Sequence, residues 1–387
     1  MGHSSWYVLL RCNVIDMRLV FVHQDLFFQG GQQVTARLVS GLVARGHHVE
    51  MIVSKVHSDI QREKSTMHPF AIPSSVPLHV LPFRRAVKNI FALGLLLRKI
   101  HPDVVVTCVG HYNQCAVLAK MLFCLNVPIV YIEHNMSQTD SVRNLRVRFN
   151  QWCINKVAKI VAVSDGVRKC IVEEFAVPFK KVVRIYNPIL DLPDGEKSSA
   201  EIHPWLHKKP RPFSIVAVGA LTNACKGFDL LIEAFYIFHV KHINSQLIIF
   251  GEGRDRLVLQ RQIDNLGLND SVVLAGFTHY VSENMRFADC MAHASRHETF
   301  GMVLVEALAV GLPVVAADCP VGPREILKDG ALGQLVPVGD TKAMADAILR
   351  VYDKSFVPKA QFDSTQYTYW HAIDSYEKLL LNVVRAE

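Results

Sequence analysis

Short, unbroken apolar runs constrain the fold of this chain more than any other feature of its sequence. In the first half they include Leu19–Val22, Val104–Cys108 and Ile129–Ile132, and in the second half Ser214–Val218 and Gln246–Phe250. Strands covered by helices on both faces have this pattern, because neither face of the strand meets water. Helical stretches separate the runs, so we predict parallel α/β sheets.

The same pattern continues along the chain. The remaining predicted strands are His48–Val53, Leu78–Pro82, Ile160–Val163, Val182–Ile185, Val272–Ala275, Asp289–Ala292, Pro313–Ala317 and Gly333–Val336. The helices predicted among them include Gln32–Arg45, Phe228–Val240, Arg256–Leu266 and Met302–Ala309. Each half of the chain therefore opens with a strand and a glycine-containing loop.

A polar, proline-rich segment divides the chain in two. Residues 191–212, DLPDGEKSSAEIHPWLHKKPRP, have the composition of a linker, and 387 residues fit two domains. We therefore predict two doubly wound α/β domains, at 17–190 and 213–365, that face a central cleft. A C-terminal helix at 366–387 is expected to pack back toward the N-terminal domain, and residues 1–16 are expected to form a disordered extension.

Composition and charge restrict the class of protein. Half of the residues are hydrophobic and 20% are charged, which is typical of a globular chain. The nine cysteines include no Cys-x-x-Cys pair, so we expect reduced thiols and no metal site. Residues 1–195 contain 23 Lys and Arg against 13 Asp and Glu, a net charge of +10, whereas residues 196–387 contain 19 against 22, a net charge of −3. This asymmetry indicates an anionic partner for the first half.

The segment His297–Glu306, HETFGMVLVE, is the strongest candidate for a binding site. Glu298, Thr299 and Phe300 are predicted to lie in the loop that enters a helix, with Glu306 inside that helix. A helix N-terminus offers free N–H groups and a partial positive charge, which suit a diphosphate. Two carboxylates beside it suit the hydroxyls of a sugar or ribose. The alternative is a surface acid followed by a glutamate that complements the helix dipole.

Other candidates follow predicted strands directly. Gly30 and Gly31 come after the first strand, where their backbone could approach a phosphate or a sugar. His134 follows the strand Ile129–Ile132, and Lys226 lies at the start of a helix. The carboxyl ends of parallel strands meet at one edge of a sheet, where ligands bind. A tight turn, a structural histidine and a solvated lysine are the alternative interpretations.

Four motifs of the chain are informative in combination. They are Glu298…Glu306 with Phe300-Gly301, the run KGFDLLIEAF from Lys226, Gly251-Glu252-Gly253, and the run CPVGPREIL from Cys319. Together they make residues 17–380 resemble the family 4 retaining glycosyltransferases, which have the GT-B fold of two Rossmann-like domains. The Gly-Pro-Arg-Glu sequence within the last motif resembles the branch that builds bacterial surface polysaccharides.

The resemblance implies a role for each matching residue. Glu298 would contact the donor sugar, Lys226 would hold the diphosphate, and His134 would lie near the reacting anomeric carbon. Glu306 would bind the ribose of the nucleotide. The other donor contacts implied are Gly30, Gly31, Gly219, Gly251, Glu252, Gly253, Phe277, Thr299, Phe300, Gly301 and Met302. The implied reaction is a retaining transfer from a nucleotide sugar, expected to be a UDP-sugar, that needs no metal or other cofactor.

One position departs from the family pattern. The family places an arginine in a Gly-Arg-Leu triplet as a second contact to the diphosphate, and this chain has Gly219-Ala220-Leu221 instead. Alanine cannot bind phosphate. Either Lys226 acts with another donor, such as Arg324 or a backbone group, or the diphosphate is held more weakly.

Basic residues flank apolar and aromatic ones in the first half, around Ile90–Leu97 and ahead of Phe149 and Trp152. These candidate acceptor or membrane contacts are Arg84, Arg85, Lys88, Arg143 and Arg146. The pattern fits an interfacial helix on an anionic membrane, or a solvated face of a core helix. We expect a lipid-linked oligosaccharide acceptor and a cytoplasmic enzyme at the inner face of the plasma membrane. We expect no nucleic-acid partner, because no binding motif for it accompanies these charges.

Two other functions compete with this one. A nucleotide-cofactor oxidoreductase would have Gly-x-Gly-x-x-Gly after the first strand, and residues 29–33, QGGQQ, lack that spacing. A catalytically impaired member that binds nucleotide sugars or acts as a scaffold is favoured by Ala220, and is disfavoured by the presence of Glu298, Glu306, Lys226 and His134.

Overall fold

The protein folds into two compact units. The computed structural model describes residues 16–25, 30–55, 72–83, 85–108, 110–133, 145–191 and 202–386. The first unit is formed by the described residues of Met1–Ala162, Cys170–Pro188 and Trp370–Glu387, and the second by those of Val163–Lys169 and Ile189–Tyr369. The predicted extension at 1–16 lies outside the described residues, apart from Asp16.

The first unit contains a seven-stranded parallel sheet in the order β3-β2-β1-β4-β5-β6-β7. Its strands are Arg18–Asp25 (β1), His48–Lys55 (β2), Leu78–Val80 (β3), Val104–Thr107 (β4), Ile129–Glu133 (β5), Lys159–Ala162 (β6) and Val182–Arg184 (β7). Every residue of β4 is buried, as the apolar runs predict for a strand covered on both faces.

Helices surround this sheet and close its core. They are Gly30–Ala44, Ile90–Ile100, Gly110–Leu122, Leu145–Lys156 and Tyr369–Arg385, with short 3₁₀ helices at Ala86–Asn89 and Phe179–Lys181. The helix Asp165–Phe175 is divided between the two units.

The C-terminal helix is part of the first unit. Arg45 forms an ion pair with Asp374, and the buried ring of His47 contacts Glu377 at 3.0 Å. The same helix places Ile373 and Leu380, both fully buried, in the hydrophobic core. Chain segments far apart in sequence thus complete one unit.

The second unit contains a six-stranded parallel sheet in the order β10-β9-β8-β11-β12-β13. Its strands are Phe213–Val218 (β8), Ser245–Phe250 (β9), Val272–Gly276 (β10), Cys290–His293 (β11), Val314–Ala317 (β12) and Gln334–Val336 (β13). Its helices are Asn223–Lys226, Phe228–His239, Arg256–Asn265, Val281–Met285, Met302–Ala309, Pro323–Ile326 and Thr341–Tyr352, with 3₁₀ helices at Pro204–His207 and Thr365–Tyr367.

The two sheets confirm the predicted parallel α/β architecture. The helix predicted at Met302–Ala309 has those bounds in the structure. It ends where Gly311 adopts a φ of +75°, a left-handed conformation that favours glycine.

Part of the predicted linker packs on the second unit. The backbone N–H of His203 donates to the Asn284 side chain at 2.8 Å, the Gln246 amide donates to the Trp205 carbonyl at 2.8 Å, and Leu206 is buried. Residues 202–212 therefore belong to a folded domain, and residues 192–201 lie outside the described residues.

Two further observations concern membranes and thiols. Among the described helices, none is long and apolar enough to cross a bilayer. The cysteines within the described ranges are free thiols, and most of them are buried.

Candidate active site

The candidate site lies at the carboxyl edge of the second sheet. The chain runs from β8 outward to β10 and then returns to place β11 on the other side of β8. Loops leaving β8 and β11 therefore diverge in opposite directions and open a crevice, which is where doubly wound folds bind ligands. The loop after β8 carries Gly219-Ala220-Leu221, and the loop after β11 carries Glu298.

Four polar side chains form a cluster in this crevice. One carboxylate oxygen of Glu298, Oε1, is paired with Lys226 Nζ. The same oxygen lies 3.1 Å from His293 Nε2 and 3.1 Å from the hydroxyl of Ser295. Ser295 Oγ also lies 3.0 Å from His293 Nε2. The carboxylate is thus held by partners from the short helix Asn223–Lys226, from the end of β11 and from the loop after β11.

Glu298 is ionised at neutral pH. Its side chain is 9% exposed, and this burial, the largest single influence, favours the neutral acid. The hydrogen bond from His293 and the charge of Lys226 outweigh burial and lower the pKa of Glu298 to about 2. A buried, fixed carboxylate of this kind accepts hydrogen bonds from hydroxyl groups and does not act as a proton donor at pH 7.

Glycines bring the loops into contact at this edge. Gly219 lies beside the aliphatic part of Lys226, since a Cβ at Gly219 would be 3.4 Å from Lys226 Cδ. Gly251, with a φ of +139°, approaches Gly219 so closely that a Cβ would be 1.9 Å from the Gly219 carbonyl oxygen. Only glycine fits at Gly251. The loops after β8 and β9 therefore pack backbone to backbone beside Lys226.

The helix Met302–Ala309 starts at the same edge. Gly301, with a φ of +100°, precedes it, and the buried ring of Phe300 anchors the loop. The first N–H groups of a helix have no acceptor within the helix, and Met302, the first residue of this one, has its backbone N–H in that position. Glu306 lies a little over one turn inside the helix and is half-buried.

Other donor contacts implied by the resemblance lie on the neighbouring loops. Glu252 and Gly253 follow β9, and Phe277 follows β10 with 52% of its surface exposed. A Cβ at Gly276 would be 3.3 Å from the Glu252 carboxylate, which shows that these two loops meet. Glu252 is itself paired with Arg256 at 2.9 Å.

Arg324, a candidate for the missing phosphate contact, forms ion pairs with two aspartates. Its guanidinium donates to Asp318, at 3.1 Å for the Nε atom, and lies 3.4 Å from Asp329. Glu325 of the same motif accepts from the backbone N–H groups of Asp165 and Gly166 at 2.9 and 3.2 Å. The Gly-Pro-Arg-Glu motif therefore fixes loops of the second unit.

Several predicted residues fall in the first unit. Gly30 and Gly31 are the first residues of a helix, whereas the sequence placed them in a loop with the helix beginning at Gln32. Arg85 and Lys88 are exposed. His134, Arg84 and Arg143 lie outside the described residues. Arg146 lies in the helix Leu145–Lys156, and its side chain lies outside the description.

The sequence analysis missed His293, Ser295 and a supporting clamp. His293 is the last residue of β11, which was predicted to end at Ala292, so a polar residue at that strand end was the available signal. In the clamp, Arg296 donates twice to Asp229 at 2.7 Å and once to the Asn223 carbonyl at 2.6 Å. This clamp fixes the Glu298 loop against the Lys226 segment.

Two family models match the chain. The model described as "Glycosyl transferases group 1" matches residues 198–366, and the model described as "Glycosyltransferase Family 4" matches residues 28–190. The two matches together span both units.

Individual proteins are similar to this chain over most of their own length. The amylovoran biosynthesis glycosyltransferase AmsD of Erwinia amylovora is 25% identical over 81% of this chain and 84% of its own. A Campylobacter jejuni N-acetylgalactosaminyltransferase, named for a diacetylbacillosaminyl-diphospho-undecaprenol acceptor, is 26% identical over 86% and 89%. The crystal structure of Anabaena Alr3699/HepE with UDP and glucose superposes with a TM-score of 0.75 at 18% identity, covering 94% of this chain and 99% of that one.

Proposed function

The chain belongs to the family 4 glycosyltransferases, and from this premise we propose that it moves a hexosyl group from a UDP-sugar to a lipid-linked or growing surface glycan, with retention of anomeric configuration. The observation that carries the proposal is the ionised Glu298 carboxylate, buried between Lys226 and His293 at the carboxyl edge of the second sheet.

Charge separation is the difficult step of the proposed reaction. A sugar with oxocarbenium character must part from a diphosphate, so preorganised positive charge at the leaving group lowers the barrier. Lys226 Nζ has three N–H donors. It can keep Glu298 as a partner and offer another donor to a phosphate oxygen. The N-terminus of the helix Met302–Ala309 adds backbone donors, so we propose that transfer needs no metal.

The remaining residues orient the donor in this proposal. The Glu298 carboxylate accepts from hydroxyls of the sugar, and Glu306 accepts from the ribose. Phe277 offers an exposed ring for stacking on the base. UDP as the nucleotide is supported by the Anabaena protein of the same fold, whose crystal structure contains UDP and glucose.

An exposed surface of the first unit supports a membrane-bound acceptor. Val87, Phe91 and Leu95 are 74%, 61% and 50% exposed. Next to them, Met121 and Leu122 are at least half exposed on the following helix, and the rings of Phe91 and Phe123 lie 5.1 Å apart. We call this the basic apolar surface, because it also carries Arg85 and Lys88. Between residues 84 and 132 the sequence contains one acid, Asp103.

We propose that this basic apolar surface rests on the anionic cytoplasmic face of the plasma membrane. Apolar side chains enter the membrane–water interface, while each nearby Lys or Arg contributes about 1 kcal/mol to the free energy of binding to anionic lipid. The Campylobacter relative, whose name specifies a diphospho-undecaprenol acceptor, supports an acceptor located there.

Purified protein tests the proposal directly. A panel of UDP-, GDP- and ADP-sugars is first screened by thermal shift, because specific binding to the native state raises the melting temperature. The stabilising donor is then incubated with polyprenyl-diphosphate glycans, with and without EDTA, and the product's anomeric configuration is determined by NMR. An inverted product would refute retention, and loss of activity in EDTA would refute metal independence. Donor binding without transfer or hydrolysis would favour the impaired, scaffold-like alternative.

A further inference from the structure

The donor diphosphate proposed above needs more positive charge than Lys226 alone supplies. A nucleoside diphosphate bound at this edge carries at least two negative charges, and Lys226 already shares its charge with Glu298. Ala220, which lies exposed on the loop after β8, contributes none. If the chain binds nucleotide sugars as proposed, a second cation that adds to the backbone donors of the helix Met302–Ala309 would come from another position.

Most cations on the loops at this edge are occupied. Arg296 is held by both carboxylate oxygens of Asp229 at 2.7 Å. Arg324 is held by Asp318 and Asp329. Arg256 donates to Glu252 at 2.9 Å and to the Leu274 carbonyl at 2.9 Å. Moving any of these guanidinium groups onto a ligand would break an existing ion pair.

Arg254 is different. Within the described residues 202–386, its one ion pair is with its chain neighbour Asp255, at 3.8 Å, and its side chain is 75% exposed. The other oxygen of Asp255 already accepts from the backbone N–H of Asn223 at 2.6 Å. The guanidinium can therefore turn toward an anion without losing a close partner.

The backbone places Arg254 next to the triplet that lacks the arginine. Leu221 donates its N–H to the Glu252 carbonyl at 3.0 Å, and Asp255 donates to the Leu221 carbonyl at 3.0 Å. Lys226 lies against Gly219 at the other end of the triplet. Lys226 and Arg254 thus flank Gly219-Ala220-Leu221 from its two ends.

We propose that Arg254 provides the second cationic contact to the donor diphosphate and takes the place of the arginine that is absent at Ala220. Guanidinium binds phosphate oxygens through parallel N–H donors, which a single lysine cannot do. Arg254 is a binding residue in this proposal, and its contact is with the phosphates, not with the base or ribose.

Calorimetric titration with UDP and with uridine tests the assignment. Arg254→Ala is expected to weaken UDP binding about 10- to 100-fold, the range for loss of a charge-assisted hydrogen bond, and to leave uridine binding unchanged. Arg261→Ala, on the exposed face of the following helix, removes the same charge and is expected to bind UDP like the wild type. Ala220→Arg is expected to have little effect in the wild type and to restore UDP binding in the Arg254→Ala background.

The outcomes separate this inference from the proposed function. Equal UDP affinity in wild type and Arg254→Ala overturns the role of Arg254 and leaves the transferase proposal in place. Equal losses for UDP and uridine overturn it also, because they indicate a collapsed loop. A wild-type protein that binds none of UDP, GDP and ADP overturns both.

Discussion

The two units use nearly the same sheet for different purposes. In each sheet, the first strand of the unit lies next to the fourth strand of that unit: β1 next to β4, and β8 next to β11. The sheet of the first unit has one additional strand, β7, at its edge. In the second unit, the carboxyl edge holds glycines and a buried ion pair between Lys226 and Glu298. The first unit exposes large apolar side chains among basic ones, such as Phe83 beside Lys88. One scaffold therefore has a small polar crevice in one unit and a broad exposed apolar surface with basic residues in the other.

The largest expected effect tests the crevice. Glu298→Gln and Lys226→Ala should each lower turnover by about 100-fold or more, because each removes a charged partner of the donor, and such a group contributes roughly 3–4 kcal/mol. Initial rates with the identified donor and acceptor measure this. Asp346→Asn, at an exposed position of the same unit, is the matched control. Normal turnover in either variant would show that the substituted residue is not part of the active site.

The pKa of Glu298 gives a second test of the crevice. The pKa falls from 4.5 to about 2 on folding, which corresponds to roughly 3 kcal/mol of stability above pH 5. A carboxyl group whose pKa is lower in the folded state stabilises that state fully when the pH is above its pKa in the unfolded chain. This contribution should therefore be lost as the pH falls from about 4.5 toward 2. The difference in unfolding free energy between wild type and Glu298→Gln should shrink by about 1.4 kcal/mol from pH 6 to pH 3.5 in urea titrations. A difference independent of pH would contradict the ionised, paired carboxylate.

The basic apolar surface is tested with vesicles. Replacing Arg84, Arg85 and Lys88 by Gln should weaken binding to anionic vesicles by at most about 3 kcal/mol at low salt, and by less at physiological salt because of screening. Flotation or sedimentation measures the binding. A variant with Lys241, Arg261 and Lys342 changed to Gln, all exposed in the second unit, carries the same charge change. Equal binding of wild type to anionic and neutral vesicles would end the membrane proposal.

The smallest expected effect concerns the role of Glu306 in the crevice. Glu306→Ala should weaken donor binding about tenfold and leave turnover at saturating donor unchanged, because contacts to ribose are alike in the ground and transition states. Separate measurement of kcat and of KM for the donor distinguishes an effect on donor binding from an effect on turnover. A fall in kcat with unchanged donor affinity would place Glu306 in the chemistry instead.

The fold was predictable because its signal is local and repeated. Unbroken apolar runs such as Val104–Cys108 become buried strands with ends within a few residues of the prediction. The motif resemblance assigned Lys226 and Glu298 to one donor site although they are 72 positions apart, but it did not predict that the two side chains pair. His293, at the end of β11, and the Arg296–Asp229 clamp were missed, because a single histidine or arginine carries no periodicity that marks its partner.

The arrangement of the units also bears on how the chain matures during synthesis. The second unit draws nearly all of its residues from the continuous stretch Ile189–Tyr369, so its sheet can close as soon as that stretch has left the ribosome. The first unit requires the final helix, whose Ile373, Tyr376 and Leu380 are almost completely buried in its core. Domains commonly fold in the order in which they are translated. Here the core of the first unit is complete only after the helix Tyr369–Arg385 has been translated, which is after the stretch Ile189–Tyr369 of the second unit.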